Sequence, residues 1–167
     1  MDTNIPGIEK QINVFKQFCK FFETFSLDDK RAYLQAFRTE LLVIYSCGLT
    51  LPGDASLSDV EYENVVTAES IKNRLLAISG LIAEHRFYWE VFDPTNHLDT
   101  EAVCGDLIDD IGDIYKDIKK AVLTYETGTE AAKQDAAWQL HFGFHHHWGD
   151  HCIDALRACH YILDKAE

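Results

Sequence analysis

Leu107-Ile-Asp-Asp-Ile-Gly-Asp-Ile-Tyr-Lys-Asp-Ile-Lys-Lys-Ala-Val-Leu-Thr-Tyr125 is the stretch that decides the fold. Leu107, Ile111, Ile114, Ile118, Val122 and Tyr125 recur at spacings of three and four. That is the period of an α-helix that buries one face. The pattern predicts a helix from about Thr100 to Tyr125. Gly105 and Gly112, seven residues apart, would share another flank of it. Each glycine costs a helix about 1 kcal/mol against alanine, and close approach of a neighbouring helix would compensate.

The same period runs outward in both directions. Ile5, Ile8, Ile12, Phe15, Cys19 and Phe22, beside a second row of Val14, Phe18, Phe21 and Phe25, predict a well-buried helix over 5–25 with Pro6 in its first turn. Ser26-Leu-Asp-Asp29 reads as an N-cap with an acid at the third helical position. It opens a second helix to about Tyr45, with Leu34, Phe37, Leu41 and Ile44 as its stripe, Gly48 closing it, and a turn at Leu51-Pro-Gly-Asp54. In the acidic segment 55–68, Ser58-Asp-Val-Glu61 could cap a short helix. Ile71, Leu75, Ile78 and Ile82 define a third helix; Phe87 to Phe92 reads as its frayed end plus an extended link, stopped at Asp93-Pro94. Thr127-Gly-Thr129 breaks the chain before a last helix over Glu130–Lys165, bent near Gly143 or Gly149. The expected architecture is all-α: an up-and-down bundle of four main helices with short extra segments, one domain over residues 1–167.

Composition narrows the function classes. The net charge is −13, and the excess sits in the middle of the chain: residues 84–117 carry ten acids and two bases. Such a surface repels phosphate backbones and anionic headgroups, so neither nucleic acid nor membrane is an expected partner. No stretch approaches the roughly 20 apolar residues that span a bilayer, and Met1-Asp-Thr-Asn4 does not read as a signal peptide, so the expected compartment is the cytoplasm. Cys19, Cys47, Cys104, Cys152 and Cys159 are dispersed, without a C-x-x-C pair, and read as reduced, buried side chains.

Two segments carry polar chemistry. Within the deciding helix, Asp106, Asp110, Asp113 and Asp117 fall in one band that borders the buried stripe. Like charges at i,i+4 destabilise an isolated helix, so the band calls for a cation or for plain hydration. In the last helix, five of the eight histidines fall between His141 and His151. His147 and His151 are four apart, which puts two imidazoles on one helix face, as a divalent metal requires. Asp154 and Asp150 lie on the same edge, His141 and His145 on the other flank, and His146 faces away. Asp113 lies about as far before the connecting turn as His147 lies after it. An antiparallel pair of helices would therefore bring Asp110 and Asp113 opposite His147 and His151. This mixed set suits zinc, iron, manganese or nickel. The alternative is a structural one, with His147 bonded to Asp113 and His151 to Asp110 or Asp154.

Tyr88-Trp-Glu-Val-Phe-Asp-Pro94, Asp109-Asp-Ile-Gly-Asp-Ile-Tyr115 and His147-Trp-Gly-Asp-His-Cys-Ile-Asp-Ala-Leu-Arg157 resemble a bacterial family described only as a domain of unknown function. Its motifs are Y-W-x-V-F-D-P, D-D-x-x-D-I-Y and H-W-G-x-H-x-x-x-A-L-R. The resemblance implies a soluble helical protein and points to Asp110, Asp113, Tyr115, His147, His151 and Arg157. The run from Asp106 to Asp113 also looks like the second acidic motif of all-helical nucleoside triphosphate pyrophosphatases. Their first motif, E-E-x-x-E, is matched only by Glu61, Glu63 and Glu69 at the wrong spacing.

Three readings follow. The leading one is a non-catalytic module that binds a protein partner or helps assemble a complex. The second is a metal-dependent hydrolase in which His147, His151 and Asp110 or Asp113 bind a divalent ion, Asp154 orients a histidine, and Tyr115 or His145 moves a proton. The third is a magnesium-dependent pyrophosphatase using Asp106, Asp109, Asp110 and Asp113. Asp106 and Arg157 complete the set of supporting residues.

Overall fold

Apolar residues at spacings of three and four do fold as helices in the computed structural model, which describes residues 8–53, 66–91, 93–98 and 101–165. Six helices lie among these residues: α1 (Ile8–Thr24), α2 (Lys30–Gly48), α3 (Ala68–Ile82), α4 (Leu107–Glu126), α5 (Glu130–His146) and α6 (Trp148–Asp164). The expected starts at Ile5 and Thr100, and the short helix near Ser58, lie outside the described residues. Local hydrogen bonding sets the beginnings of four helices. The side chains of Asp29, Thr67, Asp106 and Thr129 each accept a backbone N–H from the first turn, at 2.8–3.2 Å. The cap of α2 is therefore Asp29. Ser26 instead donates its hydroxyl to Asp28 at 2.6 Å, outside the helix.

The architecture is mainly helical, but it is neither all-α nor built on four main helices. Strand β1 (Phe87–Val91) pairs antiparallel with β2 (Ala102–Asp106), Tyr88 opposite Gly105 and Trp89 opposite Cys104. A short 3-10 turn, Ala83–His85, links α3 to β1. The segment expected to be frayed helix thus has the period of a strand: Phe87 and Trp89 are exposed, while Tyr88 and Glu90 are half-buried. The first residues of the expected fourth helix are strand too. Gly105 belongs to β2, where it lies beneath the Tyr88 ring; a Cβ there would sit 2.5 Å from the ring. Cys104, on the same strand, is exposed, unlike the other four cysteines.

Helix α4 is central and packs against α1, α3, α5 and α6. Ile111, Ile114 and Ile118 are fully buried in it. Gly112 does meet a neighbouring helix: its Cα faces Leu75 of α3. On the far side Phe21, Tyr33 and Phe37 stack between α1 and α2. Among the described residues no helix is long and apolar enough to cross a membrane.

Candidate metal centre

The last helix is broken at His147, between the two positions, Gly143 and Gly149, near which a bend was expected. The His147 backbone leaves the helical region (φ −156°, ψ −87°), its N–H closes α5 on the Gly143 carbonyl at 2.8 Å, and its own carbonyl accepts from Asp150 at 3.0 Å to open α6. Trp148 pins the junction. Its ring is fully buried between Phe15 and Phe144, and its indole N–H donates to the Leu140 carbonyl at 3.1 Å. Two glycines make room. A Cβ at Gly143 would press on the Trp148 ring, and one at Gly149 would collide with the Phe144 carbonyl. Both α5 and α6 pack on α4, and the break turns His147 and His151 toward the acidic band.

Each histidine finds its own aspartate. His147 Nδ1 lies 2.7 Å from Asp117 Oδ2, and His151 Nδ1 lies 2.8 Å from Asp110 Oδ1. Asp110 is buried, and its other oxygen accepts the Tyr88 hydroxyl at 2.6 Å. Burial, and then the bond to Asp110, raise the Tyr88 pKa, so the phenol stays protonated and donating. With one Asp110 oxygen taken by the Tyr88 hydroxyl, the contact at the other is met by the Nδ1–H tautomer of His151. The Asp110 bond, foremost, raises the His151 pKa.

With both Nδ1 atoms engaged, the Nε2 atoms turn to a common point. They lie 3.9 Å (His147) and 3.6 Å (His151) from Asp113 Oδ2. The three ligand atoms lie within 4.8 Å of one another, the one such group of three among the described residues. Two ligands at about 2.1 Å from one ion can be at most about 4.2 Å apart. Both carboxylate–imidazole gaps already fit, and rotation of the partly exposed His147 ring can close the rest. The other Asp113 oxygen is paired with Lys116.

The remaining sequence candidates are placed elsewhere or in other roles. Asp106 caps α4 and takes a bidentate pair from Arg86. Tyr115 faces α1, donating to Glu23 at 2.7 Å and stacking on Phe22. Asp154 makes no bond to a histidine; it faces Glu90, and burial together with Glu90 and Asp110 pushes its carboxyl up to about 7. His141 and His145 contact one another, and His146 lies against Phe142. Arg157 lies with Tyr88 and Trp89 in a cleft between β1 and α6. Asp109, Asp110 and Asp113 do not converge, and Glu61 and Glu63 lie outside the described residues. Tyr88, Lys116 and Glu90 have no role assigned from the sequence, and Asp117 is read there only as a member of the acidic band. For Asp117 the signal was there, since it stands in the acidic band; Tyr88 stands in a motif but gave no sign of its partner.

A family model, domain of unknown function (DUF5063), matches residues 6–165. The chain belongs to this family. Its fold is similar to that of a solved structure, protein BF1032 from Bacteroides fragilis. The two share 20% sequence identity and a TM-score of 0.79, and the similarity covers 95% of each chain. At that identity the likeness concerns the fold alone. No curated protein matches the chain.

Proposed function

We propose that the seam between α4 and the α5–α6 junction holds one divalent transition-metal ion, with Asp113, His147 and His151 as ligands, and that the protein is a metal-dependent hydrolase. One observation carries the reading: two imidazoles, each tied at Nδ1 by a carboxylate, present Nε2 to the same Asp113 oxygen. Histidine ligands ordinarily donate their second N–H to such a group, which fixes the tautomer and raises basicity. A purely structural pairing needs only one nitrogen per ring, whereas here the second nitrogen of each also faces one carboxylate oxygen. Asp110 then acts through His151, since both its oxygens are engaged. The His147 side chain is 48% exposed, so the ion would keep positions open to water. A bound water acidified toward pKa ~7 is the nucleophile such a site supplies.

The test is the metal content of tag-free protein by elemental mass spectrometry, beside a His147→Ala/His151→Ala control. Near-stoichiometric transition metal, lost in the control while circular dichroism is unchanged, is expected. Hydrolysis of nitrophenyl esters or phosphates should follow the metal and stop on chelation. Wild-type protein that neither carries metal nor takes up zinc would overturn the reading.

A second reading, a module for a protein partner, is supported by Leu42, Val43 and Leu49, which stand exposed along the C-terminal part of α2 and at its cap. A Leu42→Ser/Leu49→Ser variant that elutes unchanged, alone and in extract, would count against it.

A further inference from the structure

A cleft of about 420 Å³ opens between β1 and the C-terminal half of α6, with His85 and Tyr88 among its lining residues. Its walls are aromatic. Phe87, Trp89 and Tyr161 line it and are 60%, 71% and 56% exposed. Phe87 and Trp89 are two apart on one strand and so share a face of it. Phe15, Phe18, Phe37 and Trp148 are buried in the core, whereas the three rings gathered around this one concavity stand exposed and offer a contact surface.

The charge at the cleft points the same way. Glu84, on the rim, is neutralised by Lys30 at 2.6 Å. Arg157 has no carboxylate partner among the described residues, in a chain with 28 acids and 15 bases. A lone guanidinium beside flat rings recognises an anion carried on a flat molecule. The guanidinium pairs with carboxylate or phosphate in a planar fork, and the rings stack. The volume is that of a small-molecule site, not of a protein-docking face.

We propose that this cleft binds a small aromatic anion, its ring against Trp89 and Tyr161 and its carboxylate or phosphate on Arg157. The site is separate from the metal centre and does not rest on it. Tyr88 links the two, since it lines the cleft and bonds Asp110.

The full chain offers its own reporter, because its three tryptophans each give one indole N–H resonance. Chelator-dialysed, ¹⁵N-labelled protein is titrated with 1-naphthoate, 1-naphthyl phosphate and the neutral 1-naphthylmethanol. The Trp89 resonance, assigned with Trp89→Phe, should shift saturably with the anions while those of Trp138 and Trp148 stay. Arg157→Gln should weaken the anions by about tenfold or more and leave the alcohol unchanged. Arg157→Lys, which keeps the charge and loses the planar fork, should fall between wild type and Arg157→Gln. Whichever anion binds tighter tells carboxylate from phosphate. No saturable shift at Trp89, equal binding of the alcohol and the anions, or Arg157→Gln acting on all three probes alike would overturn the proposal. Removing metal beforehand keeps a failure here distinct from a failure of the metal reading.

Discussion

His151 Nδ1 and Asp110 Oδ1 are joined at 2.8 Å, and that bond decides which nitrogen of the imidazole is free. Asp110 accepts from Tyr88 on its other oxygen, and His151 meets the remaining one through Nδ1–H. Nε2 is left facing Asp113, free to bind an ion once it is deprotonated. Asp110→Asn presents one NH₂ where two acceptors are needed, and either the tyrosine or the histidine bond is lost. Zinc affinity, measured by competition with a chelating dye, should fall by about 10- to 100-fold with the fold retained. Asp113→Ala should abolish binding. An Asp110→Asn protein with unchanged affinity would make the bond structural.

Tyr115 separates sequence proximity from spatial proximity. It lies two residues after Asp113, yet its hydroxyl bonds Glu23 on α1. Burial pushes the Glu23 carboxyl up, but Lys119 and Tyr115 outweigh it and hold it below its ordinary range. Tyr115→Phe should cost about 1 kcal/mol, a Tm drop of roughly 2–4 °C, and leave zinc affinity alone. A change in affinity would mean that Tyr115 reaches the ion.

The contrast with Asp110 shows what the sequence could carry. Helical period made α4 legible residue by residue, and with it the band that faces the histidines. The two-stranded sheet was not legible. Five residues of alternation in Phe87–Val91 are too few to distinguish from a helix end, and β2 runs straight into the Leu107 stripe with Asp106 as the cap. Hydrogen-bond pairing was legible only as a set of choices. His147 is bonded to Asp117, one helical turn beyond the expected Asp113, which its other nitrogen faces at 3.9 Å. The break at His147 depends on Gly143, Trp148 and Gly149 meeting in three dimensions, which no periodicity reports.

Gly149 tests the break directly. A methyl group there meets the backbone carbonyl of Phe144, which cannot swing aside as a side chain would. Gly149→Ala should therefore shift the α5–α6 junction, lower Tm by several degrees, and weaken zinc binding together with stability. Gly80, in α3, provides the opposite case: a methyl group added there would meet nothing within 4 Å. Gly80→Ala should raise stability by about 1 kcal/mol through helix propensity and leave zinc affinity unchanged. Parallel melts and zinc titrations of the two variants distinguish a packing requirement from a general intolerance of alanine.

Asp154 gives the protein a pH dependence of definite sign. Its carboxyl is raised to about 7, first by burial and then by Glu90 and Asp110. In the unfolded chain it titrates near pH ~4. Below about pH 4 both states hold the proton. Between about pH 4 and pH 7 the unfolded chain releases it while the folded chain keeps it, so this group's contribution to stability falls as pH rises. Above about 7 the folded state carries the ionised group beside two other acids, and the loss is complete. Asp154→Asn keeps the shape and removes the charge. It should melt with wild type at pH 4 and above it at pH 8, by about 1–2 kcal/mol once solvent screening of a partly exposed group is allowed for. A variant less stable than wild type at pH 8 would mean that the ionised carboxylate has a favourable partner there.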